Sequence, residues 1–180
     1  VNNSLSYTSP VWAGAQVGAL TGLGEHEGSL SSGRSLSAAV KYDALPWNFA
    51  LGYLKLKNGN TPGVWSPTAS ASFSTSPLNN GYLSADSVQY LAAAVRYTAG
   101  ALVLGVHASN VTYRPGSGSL FTDTARFDTA GLIASYQLSQ AVFIGAGYSY
   151  TRERAANGIT DPANYQQVSL EQIYSFSKRT

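Results

Sequence analysis

The sequence contains no cysteine, which excludes disulfides and thiolate metal sites and is compatible with an oxidising envelope compartment. Charge is scarce as well: Asp, Glu, Lys and Arg supply 11% of the 180 residues, against roughly 25% in an ordinary soluble domain. Long hydrophobic runs are also missing. None approaches the ~18 to 20 apolar residues of a transmembrane helix, so a helical membrane protein is excluded. The formal net charge is +2, with no Lys/Arg cluster beyond Lys178–Arg179. That is too little basic character to imply a nucleic-acid partner.

What fills the gap is Ser, Thr, Gly, Asn, Gln and Tyr, which hold the mean hydropathy near zero. Low charge, abundant small polar residues and no long apolar run suit a β-structure that alternates between lipid and water. The stretch Ala141 to Arg152, "AVFIGAGYSYTR", shows the alternation directly. One series is Val142, Ile144, Ala146, Tyr148 and Tyr150; the other is Phe143, Gly145, Gly147, Ser149 and Thr151. A period of two means a strand whose faces meet different surroundings.

A recurring word organises the rest. A tyrosine stands shortly before a short turn in "SYTSPVW" (Tyr7), "KYDALPW" (Tyr42), "RYTAGAL" (Tyr97), "SYQLSQA" (Tyr136) and "IYSFSKR" (Tyr174). Anchored on these turns, the chain reads as one domain, 1–180, with nine strands. They are expected near 2–9, 13–22, 34–43, 47–57, 87–98, 101–113, 126–138, 141–152 and 164–176. Tight turns alternate with longer connections at 23–33, 58–86, 114–125 and 153–163. Long connections thus lie on one side of the sheet and short ones on the other. That asymmetry describes an all-β, antiparallel, up-and-down meander of the transmembrane β-barrel kind, whereas a Greek-key sandwich places long connections at both ends.

Side-chain phase supplies a second test, because a lipocalin-like soluble barrel shares the meander. Residues in phase with the tyrosines are apolar: Leu36, Ala38 and Val40; Leu102, Leu104 and Val106; Val142, Ile144 and Ala146. The opposite phase carries Gln16, Lys41, Arg96, His107, Ser135, Gln137 and Glu171, which are the expected pore-lining residues. Lys55, Arg126, Asp128 and Arg152 share the tyrosine phase only eight residues or so from the turns. At ~3.3 Å per residue and ~40° of tilt that is roughly 20 Å, close to the ~25 Å apolar band of membrane barrels. Tyr7, Trp12, Tyr42, Trp47, Tyr97, Tyr136 and Tyr174 then form one interfacial aromatic belt, while Tyr53, Tyr148 and Tyr150 mark the other. Asn3 and Gln172 depart from the pattern on the tyrosine face, and Leu54 and Val103 depart on the polar face. A β-bulge near Gln172 would turn Ile173 outward instead.

The opening "VNNSLSYTSPVWAGAQVGALTGLGE" and the closing "QQVSLEQIYSFSKRT" resemble the general, trimeric porins of Gram-negative proteobacteria. The resemblance covers essentially the whole chain. It implies a sixteen-strand barrel of which this chain is about nine strands, six to fourteen. It also implies an outer-membrane location, outer-membrane lipid around the wall, passage of small hydrophilic solutes and ions, and a homotrimer. The inward loop that narrows such pores would precede Val1, and the chain reads as a processed or excised piece with two open sheet edges.

Candidate sites for other chemistry are thin. His26 in "GEHEG" has neighbouring Glu25 and Glu27, but adjacent side chains diverge in an extended loop. His107 lacks a nearby base–nucleophile–orienter set in sequence. "YRPGSGSL" is Gly-rich without the Lys and helix of a phosphate loop. No enzyme and no cofactor is expected. Two basic residues against one acidic on the polar phase point to weak anion preference, and the connection 58–86 is expected as a solvated surface loop or, through Trp65 and Phe73, as a segment tucked against the channel mouth or a neighbouring subunit. The other readings are a smaller membrane barrel acting as anchor or adhesin, and a soluble β-barrel binding protein.

Overall fold

A computed structural model describes residues 3–24, 32–58 and 82–176. Among these residues the chain is all β: β1 (Ser4–Thr8), β2 (Ala15–Gly22), β3 (Ser35–Ala44), β4 (Trp47–Lys57), β5 (Ser87–Ala99), β6 (Leu102–Arg114), β7 (Ala125–Gln137), β8 (Val142–Glu153) and β9 (Asn164–Tyr174). The strands form one sheet in the order β1 to β9, each antiparallel to the next. From β4 onward each strand has 11 to 13 residues, enough for a tilted strand to cross a bilayer. Strand ends fall within two residues of those expected from sequence. One such shift is at β2, expected from 13 and beginning at Ala15. Ala13 and Gly14 instead take left-handed backbone, with φ of 49° and 88°, and complete the turn before the strand begins. A Cβ on Gly14 would stand 2.6 Å from the Asp43 carbonyl oxygen, so only glycine fits where this turn docks on β3.

Pairing runs one to one along every ladder. A residue on one face therefore keeps its cross-strand partner on that face, and the phase set at one tyrosine carries across the sheet. Tyr42 stands opposite Phe49, Trp47 opposite Tyr97, Leu104 opposite Ala134, and Tyr136 opposite Ile144. No bulge interrupts β9 at Gln172, which faces Ile144; Ile173 stays on the other face beside Phe143.

The two faces differ in what they expose. Leu170 is 82% exposed, Val106 58% and Leu132 54%, all on the tyrosine face, and no second layer packs on it among the described residues. A water-soluble protein rarely leaves so broad an apolar surface bare; in hydrocarbon it is the surface required. At the short-turn edge the face ends in stacked aromatics. Trp47 lies 4.6 Å from Tyr97 and 6.1 Å from Phe49 by ring centroid, and Tyr174 lies 4.9 Å from Phe176. Such rings settle at headgroup level because one end is apolar and the other polar.

Buried hydrophobic residues are few, and they gather on the opposite face at the long-connection edge: Ala85, Val88, Tyr113, Ala125 and Phe127. Replacing Leu132 by Arg should cost about 2 to 4 kcal/mol, the usual effect of a charge on the lipid side near mid-membrane. Ser135→Arg, on the other face of the same strand, should cost far less. Denaturant unfolding in lipid vesicles reads both.

Candidate functional site

The polar face changes character from one edge of the sheet to the other. Near the short turns it is charged. Lys41 and Asp43 lie two residues apart on β3, hence on one face, and their side chains pair at 3.2 Å. Asn48 on β4 stands opposite Asp43 and donates its amide to the carboxylate at 2.8 Å. Arg96 on β5 stands opposite Asn48 and donates its Nε to the Asn48 oxygen at 3.1 Å. A continuous ladder Lys41–Asp43–Asn48–Arg96 thus crosses three strands. Glu171 sits apart on β9, opposite Gly145.

The seven expected wall residues all fall on this face, but they do different things. Gln16 stands opposite Lys41 and His107 opposite Gly131. Gln16 also gives its amide to the Ser9 carbonyl at 3.0 Å, and Gln137 gives its amide to the Ser139 carbonyl at 2.7 Å. These two glutamines therefore brace the turns at either end of the sheet. Ser135 stands opposite Gly145. The His107 ring lies across Gly131, where a Cβ would meet its Nε2 at 2.6 Å and the Tyr148 carbonyl oxygen at 2.9 Å. Most side chains are small through the middle of the face: one register row runs Ala50, Ala94, His107, Gly131 and Ser149. A hollow of about 550 Å³ opens over the β1 to β6 part of the sheet, where Ala50, Ala94 and His107 line it.

At the long-connection edge the face turns aromatic. Tyr82, from the end of the 58–86 connection, stacks on Tyr113 at 4.9 Å and meets Phe127 and Phe121 edge-on. Its hydroxyl donates to the Glu153 carboxylate at 2.6 Å, and Glu153 is 5% exposed. Ser84 and Ser119 tie the two connections together: the Leu120 amide donates to the Ser84 hydroxyl at 2.9 Å. Burial first, then the bond to Glu153, pushes the Tyr82 phenol above its ordinary value.

Sequence reasoning missed two of these features. Asp43 was readable, since it shares the phase of Lys41, but it stood hidden in a turn word. The Tyr82–Glu153 contact joins residues far apart in the chain, and no local pattern announces it. Among the aromatics, Tyr42, Trp47, Tyr97, Tyr136 and Tyr174 line the short-turn edge, Tyr7 lies beside them on β1, and Trp12 bridges Ala15 in the first turn. Tyr148 and Tyr150 stand farther up β8, on the same face. His26, Trp65 and Phe73 lie outside the described residues.

Two solved structures share this fold. One is a porin, matched with a TM-score of 0.64 at 12% identity over 97% of this chain and 52% of that one. The other is OmpT, an outer membrane protein of Vibrio cholerae, matched with a TM-score of 0.68 at 15% identity over 97% of this chain and 49% of that one. The chain therefore spans about half the length of each. A comparison with curated proteins finds no match. Over residues 1–180 the sequence matches the profile of a family described as Gram-negative porin.

The Tyr82 hydroxyl supplies a buried carboxylate with its donor, and a buried acceptor left without one costs about 1 to 3 kcal/mol. Tyr82→Phe should loosen the two connections by that amount, seen as faster proteolysis between 82 and 121 with the strands intact. In the unaltered protein the folded state holds the phenol proton more tightly than the unfolded chain does. The same loosening should therefore set in as pH rises above 10, the ordinary tyrosine value, and Tyr82→Phe should weaken that dependence.

Proposed function

The chain belongs to the Gram-negative porin family, whose place is the outer membrane, and from that membership we propose that it forms wall of a water-filled diffusion channel. Small hydrophilic solutes and ions pass along the polar face without chemical change. The family points to a channel rather than an enzyme, and no cofactor is needed for passage. The observation that carries the reading is the division of one continuous sheet into a bare apolar face and a face that holds the charges of the strands' short-turn ends and many Gly, Ala and Ser, with Leu54, Val103, Ile133 and Ile173 interspersed. Barrels of sixteen strands leave an aqueous lumen, and small inward side chains keep it open. The β1 and β9 edges pair with further strands in that barrel, since an open edge in lipid leaves backbone groups unsatisfied. A homotrimer completes the proposal, on the resemblance stated above.

Selectivity follows from the charges at the short-turn edge. Lys41 and Arg96 favour anions and Glu171 disfavours them. Asp43 offsets Lys41 through its ion pair, so the anion preference is weak and rests mainly on Arg96. Lys41→Gln with Arg96→Gln should lower anion-over-cation permeability, and Asp43→Asn should raise it. Reversal potentials in planar bilayers under a salt gradient measure both. Unchanged potentials in both variants would remove the wall charges from selectivity, and the absence of any conductance would remove the channel.

A further inference from the structure

At mid-height, from β4 to β8, the polar face carries one large side chain. The row of His107 is otherwise Ala50, Ala94, Gly131 and Ser149. The next row toward the long connections, Gly52, Ala92, Ser109, Thr129 and Thr151, holds nothing larger than threonine. The His107 ring is half-buried, because it lies sideways over Gly131 instead of standing into the open space. A Cβ at Gly131 would meet the ring Nε2 at 2.6 Å. A glycine inside a strand marks a place where another group comes close, and here that group is the imidazole. The Tyr148 carbonyl oxygen lies 2.9 Å from the same point, a backbone contact that does not depend on residue 107. The construction recurs one row nearer the short turns. Ile133 stands between Gly105 and Gly147, and a Cβ on Gly105 would meet its Cγ1 at 2.7 Å. Two bulky inward residues are thus each laid over a glycine of the neighbouring strand.

The ring also borders the charged end of the face. A hollow of about 340 Å³ is lined by Lys41, Asp43, Asn48, Arg96 and His107. His107 stands opposite Ala94, which makes Arg96 its diagonal neighbour, and such positions lie roughly 7 to 8 Å apart. Asp43 is engaged by Lys41. The inward residues flanking His107 on the adjoining strands are Ala94 and Arg96 on β5 and Gly131 and Ile133 on β7, so no carboxylate faces it from either. Glu171 lies three strands away on β9, and Glu153 is held by Tyr82 at the long-connection edge. A proton on the imidazole would add to the charge of Arg96 and meet no adjacent acid that cancels it.

We infer that His107, seated on Gly131, sets the bore of the channel wall at mid-height and adds a proton-dependent positive charge to it. The inference rests on the channel reading above and names a residue that governs its selectivity. Imidazole is the side chain whose charge ordinarily changes between about pH 5 and 8, whereas ordinary carboxylates stay ionised down to about pH 4 to 5. Neutral and flat, the ring leaves the lumen wide. Protonated, it extends the field of Arg96 and favours anions. Lifted off its seat, it narrows the passage.

Planar-bilayer recordings of the complete membrane-inserted protein test both parts. Gly131→Ala should lower the single-channel conductance. In a His107→Ala background the same change should do much less, since no ring is there to displace. The Tyr148 carbonyl contact is common to both backgrounds and cancels in the comparison. Should Gly131→Ala fail to insert, insertion of His107→Ala/Gly131→Ala carries the same result. Between about pH 8 and about pH 6 the anion-over-cation permeability ratio should rise in the unaltered channel. His107→Gln should lose that rise, and His107→Lys should hold the raised ratio at both pH values. Lys41→Gln/Arg96→Gln should lower the ratio throughout and keep the rise. Equal loss of conductance in both backgrounds, failure of both to insert, or a rise that survives His107→Gln overturns the inference with the channel intact. A complete protein without any conductance overturns the channel reading, and this inference with it.

Discussion

The unbroken antiparallel ladder is the constraint on which everything else in this structure depends. In hydrocarbon no water is present to satisfy a backbone N–H or C=O, so each must find its partner on the neighbouring strand. Eight successive ladders meet that demand without a bulge. Because pairing is one to one, side-chain phase is conserved from β1 to β9. One face is then free to be largely apolar, while the other carries the charges, the small residues and the aromatic cluster. A single slipped register would bring Lys41 or Arg96 to the lipid side and Val40 or Val95 to the water side. The faces are thus consequences of the ladder, and the functions assigned to them inherit its precision.

Along the strand direction the polar face is layered, and the layers divide the work. The Lys41–Asp43–Asn48–Arg96 ladder sets the electrostatics near the short turns. The glycine, alanine and serine band leaves volume. The aromatic cluster around Tyr82, Tyr113 and Phe127 gives the long connections something to pack against, which a lumen filled with water cannot offer. Among the described residues no conventional core fills the middle of the sheet, as the proposed channel requires. The cluster at the mouth is where the chain recovers one.

The outward face is layered as well: aromatic, apolar, aromatic, then charged at Lys55, Asp128 and Arg152. Each boundary tracks a change of medium, from headgroups through hydrocarbon and back to headgroups. The charged rim on one side and the Tyr42–Trp47–Tyr97 cluster on the other make the wall directional. The two edges of one strand are built for different leaflets.

The face of most strand residues, the number of strands and the side on which long connections lie were legible in the sequence, whereas the faces of Gln172 and Ile173 were decided by the ladder. The legible features depend on period-two alternation and on a repeated turn word, which are local. Gln16 and Gln137 were legible as polar-face residues, but their work as turn braces was not, because it depends on where the Ser9 and Ser139 carbonyls end up. Asp43 lay within reach of the same phase rule as Lys41. The Tyr82–Glu153 bond, the burial of Phe127 and the seating of the His107 ring over Gly131 required the ladder itself. They join residues whose proximity is set by register across several strands, and register is a property of the folded sheet that no single strand carries.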